Sequence, residues 1–101
     1  MNKVMNLLGL AQRAGKVVSG DFIVEKALKS KSVKLLLLAT DAGPNNEKKY
    51  RHLSDVYHVP LRIVANKESL GHAIGKELRV VIAIQDQGFS QSMIDIIDKE
   101  D

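Results

Sequence analysis

The sequence predicts an α/β domain in which helices cover both faces of one central sheet. Two kinds of segment alternate along its 101 residues: short runs that are almost wholly apolar, and longer runs in which apolar residues recur every three or four positions. Unbroken apolar runs are typical of strands covered on both faces, and the longer spacing is typical of amphipathic helices. Because a chain of this length that is 45% hydrophobic closes a single core, we expect one domain, residues 1–101.

The first third of the chain predicts two helices with a short strand between them. Residues 3–14 form the first predicted helix, which ends at Gly15. Residues 16–19 follow as a strand, and residues 20–30 form the second helix. The apolar stripe of the first helix consists of Val4, Leu7, Leu8, Ala11 and Ala14, and that of the second consists of Ile23, Val24, Ala27 and Leu28.

Three further apolar runs complete a predicted sheet of four strands. A helix is predicted between the run that ends at residue 39 and the run that begins at residue 61. It is entered through Pro44, with Asn45 and Asn46 as candidate N-caps. Its apolar side is formed by Tyr50, Leu53, Val56 and Tyr57. The three runs are residues 33–39, 61–64 and 79–84.

Two more helices follow the third and fourth predicted strands. Asn66 is the candidate N-cap of a short helix that ends at Gly75, and Ser90 is the candidate N-cap of the last helix. The chain is acidic after Ile97, and we expect a frayed helix end there.

The positive charge is concentrated at one end of the chain. The formal net charge is +3, but residues 1–34 carry seven Lys and Arg against Asp21 and Glu25, a net +5, whereas residues 86–101 carry a net −4. Such a basic segment favours a polyanionic partner, because lysines that neutralise phosphates release condensed counterions. The alternative is that these lysines only solvate helix faces.

Several kinds of chemistry are disfavoured by the sequence. There is no cysteine, so disulfides and thiolate sites are excluded. Gly9 and Gly15 are separated by five residues, which does not fit a phosphate-binding P-loop, and Val17 stands where such a loop needs Ser or Thr. The three histidines share no metal-ligand spacing. We therefore expect no enzyme activity, no cofactor and no metal.

The longest apolar run, Leu35 to Ala39, is far shorter than a membrane span. The first residues also lack the small-residue cleavage site of a signal peptide. These features predict a soluble, cytoplasmic protein that does not contact membranes.

The start of the second predicted helix has the residue types of a phosphate-binding site. The first turn of a helix presents unpaired N–H groups, and Gly20 allows close approach because it has no Cβ. Phe22 is four residues before Lys26, so the two share a helix face, and Lys29 lies further along. An unstacked base can lie on such a ring while the lysines contact the RNA backbone. The alternative is that Phe22 covers the core and Gly20 only turns the chain; we expect Ile23 to belong to the core.

Several stretches of the sequence together resemble one known family. They are LGLAQRAGKVVSGDFIVEKAL, the pair Asp41-Ala42, VPLRIV and LGHAIGKELRVVIAIQDQGF, and they cover nearly the whole chain. They are similar to the kink-turn RNA-binding ribosomal proteins of the L-seven-Ae type, in particular the small bacterial YlxQ-like branch. The resemblance implies a three-layer α/β/α sandwich with a mixed four-stranded sheet. It also implies RNA binding without catalysis, in a ribosomal or translational setting.

The resemblance also implies where RNA is held. Gly20 and Lys26 match the glycine and the lysine of the family motif Gly-x-Asn-Glu-x-x-Lys. The second contact is a loop at about residues 76–80, where Leu78 and Val80 would shield an extruded base and Arg79 would reach a phosphate. Phe22 and Ile23 replace the Asn and Glu of the motif, and apolar side chains cannot form the hydrogen bonds by which those residues read base edges.

The sequence thus predicts a non-catalytic, monomeric RNA-binding protein that is ribosome- or translation-associated and recognises bent or kink-turn-like RNA. Two alternatives stay open. One is a protein-interaction module in ribosome assembly that docks on a ribosomal protein through the LRVVIAI strand or the acidic end. The other is a small-molecule or catalytic role in a pocket between the loops. The predicted RNA-binding residues are Lys16, Gly20, Asp21, Phe22, Lys26, Lys29, Leu78, Arg79 and Val80.

Overall fold

The predicted alternation of helices and strands is confirmed by a computed structural model, which describes residues 2–99. Within this part of the chain there are five helices and four strands. In chain order they are α1 (Asn2–Arg13), β1 (Val17–Ser19), α2 (Asp21–Lys29), β2 (Leu35–Leu38), α3 (Pro44–Tyr57), β3 (Leu61–Ile63), α4 (Lys67–Ala73), β4 (Val81–Ile84) and α5 (Gln87–Lys99).

The four strands form one mixed sheet in the order β1-β4-β2-β3. β2 and β3 are parallel, whereas β4 is antiparallel to both of its neighbours, β1 and β2. β1, β2 and β3 therefore run in one direction and β4 runs in the other. We call the end of the sheet where β1, β2 and β3 finish and β4 begins its C-terminal end, and the opposite end its N-terminal end.

Helices cover both faces of the sheet, as the predicted three-layer sandwich requires. Leu35 and Leu37 of β2 pack in a core with α1, α4 and α5, whereas Leu36 and Leu38 pack in a second core with α2 and α3. All four leucines are buried, because successive side chains of a strand point to opposite faces and both faces are covered.

The second predicted helix is amphipathic, but one residue of its predicted stripe is not in the core. Val24, Ala27 and Leu28 are buried, whereas the side chain of Ile23 is 52% exposed. The prediction that Ile23 belongs to the core is therefore wrong. One residue along a helix is a rotation of about 100°, so Ile23 lies at the flank of the stripe that Val24 shares with the other buried residues, and its side chain stays outside the core.

The start of α3 differs from the prediction. Its N-cap is Gly43, at φ 91°, and Pro44 occupies the first turn. Asn45 and Asn46 therefore lie inside the helix, and the Asn46 side chain donates from Nδ2 to the backbone oxygen of Ala42 at 2.9 Å. The prediction that either residue caps α3 is wrong, because proline is preferred at the first helical position and the cap precedes it.

The predicted N-cap of α4 is confirmed, whereas the predicted N-cap of α5 is wrong. Asn66 caps α4, since its Oδ1 accepts a hydrogen bond from the backbone N–H of Ser69 at 2.8 Å. Ser90, in contrast, lies one turn inside α5 and is buried. The carboxylate of Asp86 takes the capping role and accepts from the N–H of Phe89 at 2.8 Å.

The last turn of α5 is fixed to the sheet. The Arg62 guanidinium of β3 donates to both carboxylate oxygens of Asp98, at 2.9 and 3.0 Å. These bonds hold the pKa of Asp98 below its usual value. The frayed end predicted after Ile97 is thus wrong for Asp98 and Lys99, which are helical, and residues 100–101 lie outside the described residues.

Residues 2–99 contain neither a membrane-spanning helix nor a cluster of metal-binding side chains. No helix in this range combines the length and the apolar character that crossing a bilayer requires. In the same range, no three His, Cys, Asp or Glu side chains are grouped so that they could hold a metal ion.

Candidate nucleic-acid interface

Three helices begin at the C-terminal end of the sheet. α2 follows β1, α3 follows β2 and α4 follows β3, so their first turns lie at the same end of the molecule. Each first turn presents unpaired backbone N–H groups and a partial positive charge. This end of the sheet is therefore favourable for anions before any side-chain charge is counted.

Gly20 precedes α2 in a conformation that suits glycine alone. Its φ of 93° and ψ of 144° belong to a region that other residues rarely adopt, and no side chain caps the helix. A Cβ built at Gly20 would meet no atom within 4 Å. The backbone conformation, and not a lack of space, thus requires glycine, and the space in front of the helix start is open to a ligand.

The loop of residues 76–80 is held against α4 and β2. The N–H of Lys76 donates to the oxygen of Gly71 at 2.8 Å, and the N–H of Arg79 donates to the oxygen of Lys67 at 3.0 Å. A Cβ at Gly71 would lie 1.3 Å from the oxygen of Glu77, so only glycine lets the loop cross the helix so closely. The loop is therefore positioned by α4 before any ligand binds.

Arg79 connects this loop to the start of α2. Its Nε donates to Oγ of Ser19, the residue before Gly20, at 2.9 Å, and its Nη1 donates to the oxygen of Leu78 at 2.8 Å. The structure thus brings together the two predicted contact regions, which are about 60 residues apart in sequence. Two of the five N–H donors of the guanidinium form these bonds, so three are left for a ligand.

Large apolar side chains are exposed at this end of the sheet. Phe22 is 79% exposed and Leu78 is 57% exposed, and Ile23 joins them on the first turn of α2. Phe22 does not cover the core, so that alternative is wrong. Val80 is half-buried and packs against the core formed with α2 and α3. Exposed apolar groups that lie together commonly mark a binding surface.

Phe22 and two lysines share a shallow groove on α2. The groove has a volume of about 280 Å³ and is lined by Phe22, Glu25, Lys26 and Lys29. Both lysines are exposed, whereas the Glu25 carboxylate is paired with Nζ of Lys49 at 3.0 Å. This confirms that the aromatic ring and the two ammonium groups share one face of the helix.

Asp21 is engaged within the protein. Its carboxylate accepts a hydrogen bond from the hydroxyl of the fully buried Tyr50 and lies 4.0 Å from Nζ of Lys49. Burial, together with the neighbouring Asp21 carboxylate, raises the pKa of Tyr50 well above its usual value. Asp21 thus fixes the first turn of α2 to α3, and its direct contact with RNA stays a prediction.

Lys16 is separated from the other predicted residues. It precedes β1, and its backbone oxygen accepts from the N–H of Gln85, the residue that follows β4. It therefore lies at the N-terminal end of the sheet, about 13 Å from Gly20 at 3.3 Å per strand residue. The structure does not bring Lys16 into the cluster around Gly20.

Sequence reasoning missed the contribution of α3 to this site. Lys49 and Tyr50 position Asp21, and Gly43 starts a second helix in nearly the same conformation as Gly20. The signal for the helix start was the pair Gly43-Pro44 after a buried strand. The contacts of Lys49 and Tyr50 join residues more than 20 positions apart and had no local signal.

Comparison with known proteins places this architecture in a family. Residues 2–94 match the model of the "Ribosomal protein L7Ae/L30e/S12e/Gadd45 family". The chain is 47% identical over 92 residues to the RNA-binding protein YlxQ of Bacillus subtilis (strain 168), which covers 91% of this chain and 92% of the relative. It is 34% identical over 96 residues to the RNA-binding protein YlxQ of Enterococcus faecium, covering 95% and 92%.

A solved structure has the same fold over nearly its full length. A protein of unknown function from Bacillus halodurans C superposes with a TM-score of 0.92 at 41% sequence identity. The match covers 96% of this chain and 98% of that protein.

Proposed function

We propose that this chain, which belongs to the ribosomal protein L7Ae/L30e/S12e/Gadd45 family, binds structured RNA at the C-terminal end of its sheet. The protein acts as a monomer without catalysis, in association with the ribosome or with translation. Its RNA target is bent or kink-turn-like, so that one unstacked base and the adjoining backbone are accessible. The names of its YlxQ relatives, which are RNA-binding proteins, support this proposal.

One observation supports this function most strongly. The hydrogen bond from Arg79 to Ser19 holds the loop of residues 76–80 beside the start of α2. Exposed Leu78 is thereby held beside the open helix start and exposed Phe22, and the exposed lysines extend this surface along α2. Such a surface suits a ligand with flat apolar rings on an anionic backbone, which is the chemistry of an unpaired RNA segment.

Each part of the surface has a separate role. The backbone N–H groups after Gly20 and the side chains of Lys26 and Lys29 contact phosphates, and Arg79 supplies a further donor. Phe22 stacks on one face of an unpaired base, and Leu78 shields the other face of the same base from water. Recognition at Phe22 and Ile23 relies on stacking and shape, because these side chains cannot hydrogen-bond to base edges.

A binding titration at two salt concentrations tests the function. The protein is titrated with a kink-turn RNA and with a straight duplex of equal length. We expect tighter binding to the kink-turn RNA, and an affinity for either RNA that falls steeply as salt rises, because phosphate contacts release counterions.

Two results would contradict the proposal. Equal affinity for both RNAs would remove the preference for bent RNA while leaving RNA binding itself. No binding to either RNA, together with a salt-insensitive association with a ribosomal protein, would favour the protein-interaction module, since apolar contacts depend little on salt.

A further inference from the structure

We propose that the N-terminal end of the sheet is a second RNA-binding surface, which takes a single-stranded segment extending from the RNA bound at the C-terminal end. This inference rests on the proposed function, since it adds a second contact to the same RNA. The surface is formed by Lys16, Lys31 and Lys34 and by the groove beside them.

The sheet fixes the spacing of two of these lysines. β4 lies between β1 and β2, the N–H of Gln85 donates to the oxygen of Lys16 at 2.8 Å, and the N–H of Lys34 donates to the oxygen of Ile84 at 2.7 Å. Lys16 and Lys34 therefore flank the end of β4 on either side. Because neighbouring strands are about 4.8 Å apart, their backbones are about 10 Å apart.

The segment that carries Lys31 and Lys34 is held in place. The side chain of Gln85 donates from Nε2 to Oγ of Ser32 at 2.9 Å, and the hydroxyl of Ser32 donates in turn to the oxygen of Ala27 at 3.2 Å. The two lysines are exposed on this segment, so their charges are presented from a fixed backbone. Little backbone entropy is then lost when they bind an anion.

A groove of about 500 Å³ opens beside these lysines. Its apolar lining includes Val56, which is 50% exposed, and its polar rim includes Lys31, Lys34, His58, Gln87 and Gln91. Among the described residues that line it, none is acidic. An apolar floor with a cationic rim suits single-stranded RNA, whose bases are apolar on their faces and whose backbone is anionic.

Ion pairs among the described residues do not account for these three charges. The ion pairs found among residues 2–99 involve Lys49, Arg51 and Arg62, and none of them uses Lys16, Lys31 or Lys34. Lysines also stabilise helix C-termini, but that effect falls off beyond the last turn. Lys16 and Lys34 lie three and five residues after the ends of α1 and α2, beyond this effect, whereas Lys31 directly follows the C-cap of α2 and is within its reach.

The two surfaces lie at opposite ends of the sheet, so an RNA element docked on one end does not directly cover the other. They lie at opposite ends of strands that are about 13 Å long, in a molecule of 28 × 27 × 26 Å. A strand that leaves the bent element must therefore follow the side of the protein to reach the groove. RNA length thus separates the two contacts experimentally.

The test compares a minimal kink-turn RNA with the same RNA carrying a single-stranded uridine extension. We expect the wild-type protein to bind the extended RNA at least about tenfold more tightly, because the second contact becomes intramolecular. In the variant Lys31→Gln/Lys34→Gln this gain is lost, while affinity for the minimal RNA is unchanged. The control variant Lys3→Gln/Lys99→Gln has the same change in charge at other exposed positions and keeps the gain.

The inference is overturned if the extension gives the wild-type protein no gain, or if the groove variant keeps the gain. It is also overturned if the groove variant and the control weaken both RNAs equally, since the effect would then be one of net charge. Thermal unfolding of each variant verifies that it is folded.

A separate titration with a uridine oligonucleotide alone distinguishes failure of this inference from failure of the proposed function. Binding that is lost in Lys31→Gln/Lys34→Gln but kept in Lys26→Gln/Arg79→Gln, which removes two charges from the first surface, supports the second surface even if the kink-turn RNA is not bound. The inference is overturned if Lys31→Gln/Lys34→Gln still binds the oligonucleotide while the first-surface variant does not, or if the wild-type protein does not bind it.

Discussion

Gly20 is the residue whose conformation most directly opens the candidate site. At φ 93° it occupies a region in which a side chain is strained, although no neighbouring atom would obstruct a Cβ. Gly43 has nearly the same φ and ψ at the start of α3. The two glycines therefore allow the conformational and the binding effects of a substitution to be separated.

We expect Gly20→Ala to lower the free energy of unfolding by about 1–3 kcal/mol, the usual cost of a strained backbone position. Gly43→Ala should have a similar cost, which urea denaturation of both variants would measure. Only Gly20→Ala should also weaken RNA binding, because only this glycine lies beside Arg79 and Phe22. An equal loss of affinity in both variants would show that the start of α2 has no special role.

Phe22 is almost fully solvated, so its removal tests function with little effect on folding. We expect Phe22→Ala to leave the unfolding midpoint nearly unchanged and to weaken RNA binding by about 1–3 kcal/mol, the contribution of one base stacked on an aromatic ring. The control is Leu10→Ala, an exposed apolar side chain on α1, which packs on the other face of the sheet from α2. Unchanged affinity in Phe22→Ala would remove stacking at this ring from the proposal.

At the scale of single elements, α5 contains a buried hydroxyl without an evident role. The Oγ of Ser90 has no hydrogen-bond partner among the described residues. An unsatisfied buried polar group costs about 1–3 kcal/mol. We therefore expect Ser90→Ala to raise the free energy of unfolding by about 1 kcal/mol more than Ser92→Ala, an exposed control on the same helix. Chemical denaturation would measure the difference, and a less stable Ser90→Ala would show that the hydroxyl is satisfied.

The crossing of the loop and α4 depends on Gly71. A methyl group there would collide with the backbone at Glu77, so Gly71→Ala should displace the loop and lower the free energy of unfolding by about 1–3 kcal/mol, the usual range for overpacking. RNA affinity should fall as well, because Leu78 and Arg79 move with the loop. The control is Gly88→Ala on α5, where a Cβ meets only the carboxylate of Asp86, at 3.3 Å. If Gly71→Ala bound RNA normally, the loop would not belong to the site.

The elements themselves were largely predictable from local patterns. Runs such as Leu35 to Leu38 determine strands, and the spacing of Val24, Ala27 and Leu28 determines a helix, because both signals depend on neighbouring residues only. The cap of α5 was not predicted, since Asp86 and Ser90 are both good N-cap residues and packing decides between them. The exposure of Ile23 likewise depends on how far around α2 the packed face extends, which local spacing does not fix.

The candidate site was predictable in part. Gly20, Phe22, Lys26 and Lys29 were found because they lie on one helix, where sequence spacing gives spatial proximity. The role of Asp21 was not, because its partner Tyr50 is 29 positions away. That the loop of residues 76–80 lies near the start of α2 was implied only by the family resemblance, and the bond from Arg79 to Ser19 was not predicted.

At the scale of the whole molecule, the fold divides the basic third of the chain between two surfaces. Lys26 lies beside Phe22 on α2 and Lys29 is the last residue of that helix, whereas Lys16 and Lys34 lie at the N-terminal end of the sheet, next to the end of β4, and Lys31 precedes Lys34 by three residues. The sequence showed only that the charges are close along the chain. The sheet topology separates them, because β1 and β2 both run from one surface to the other.

The most direct test of the central claim is an amide NMR titration of the ¹⁵N-labelled protein with a kink-turn RNA. We expect the largest chemical-shift changes at Gly20, Phe22, Lys26, Leu78 and Arg79, with little change on the outer faces of α1 and α5. Changes confined to α1 and α5, or the absence of saturable changes around Gly20 and the loop of residues 76–80, would contradict RNA binding at the C-terminal end of the sheet.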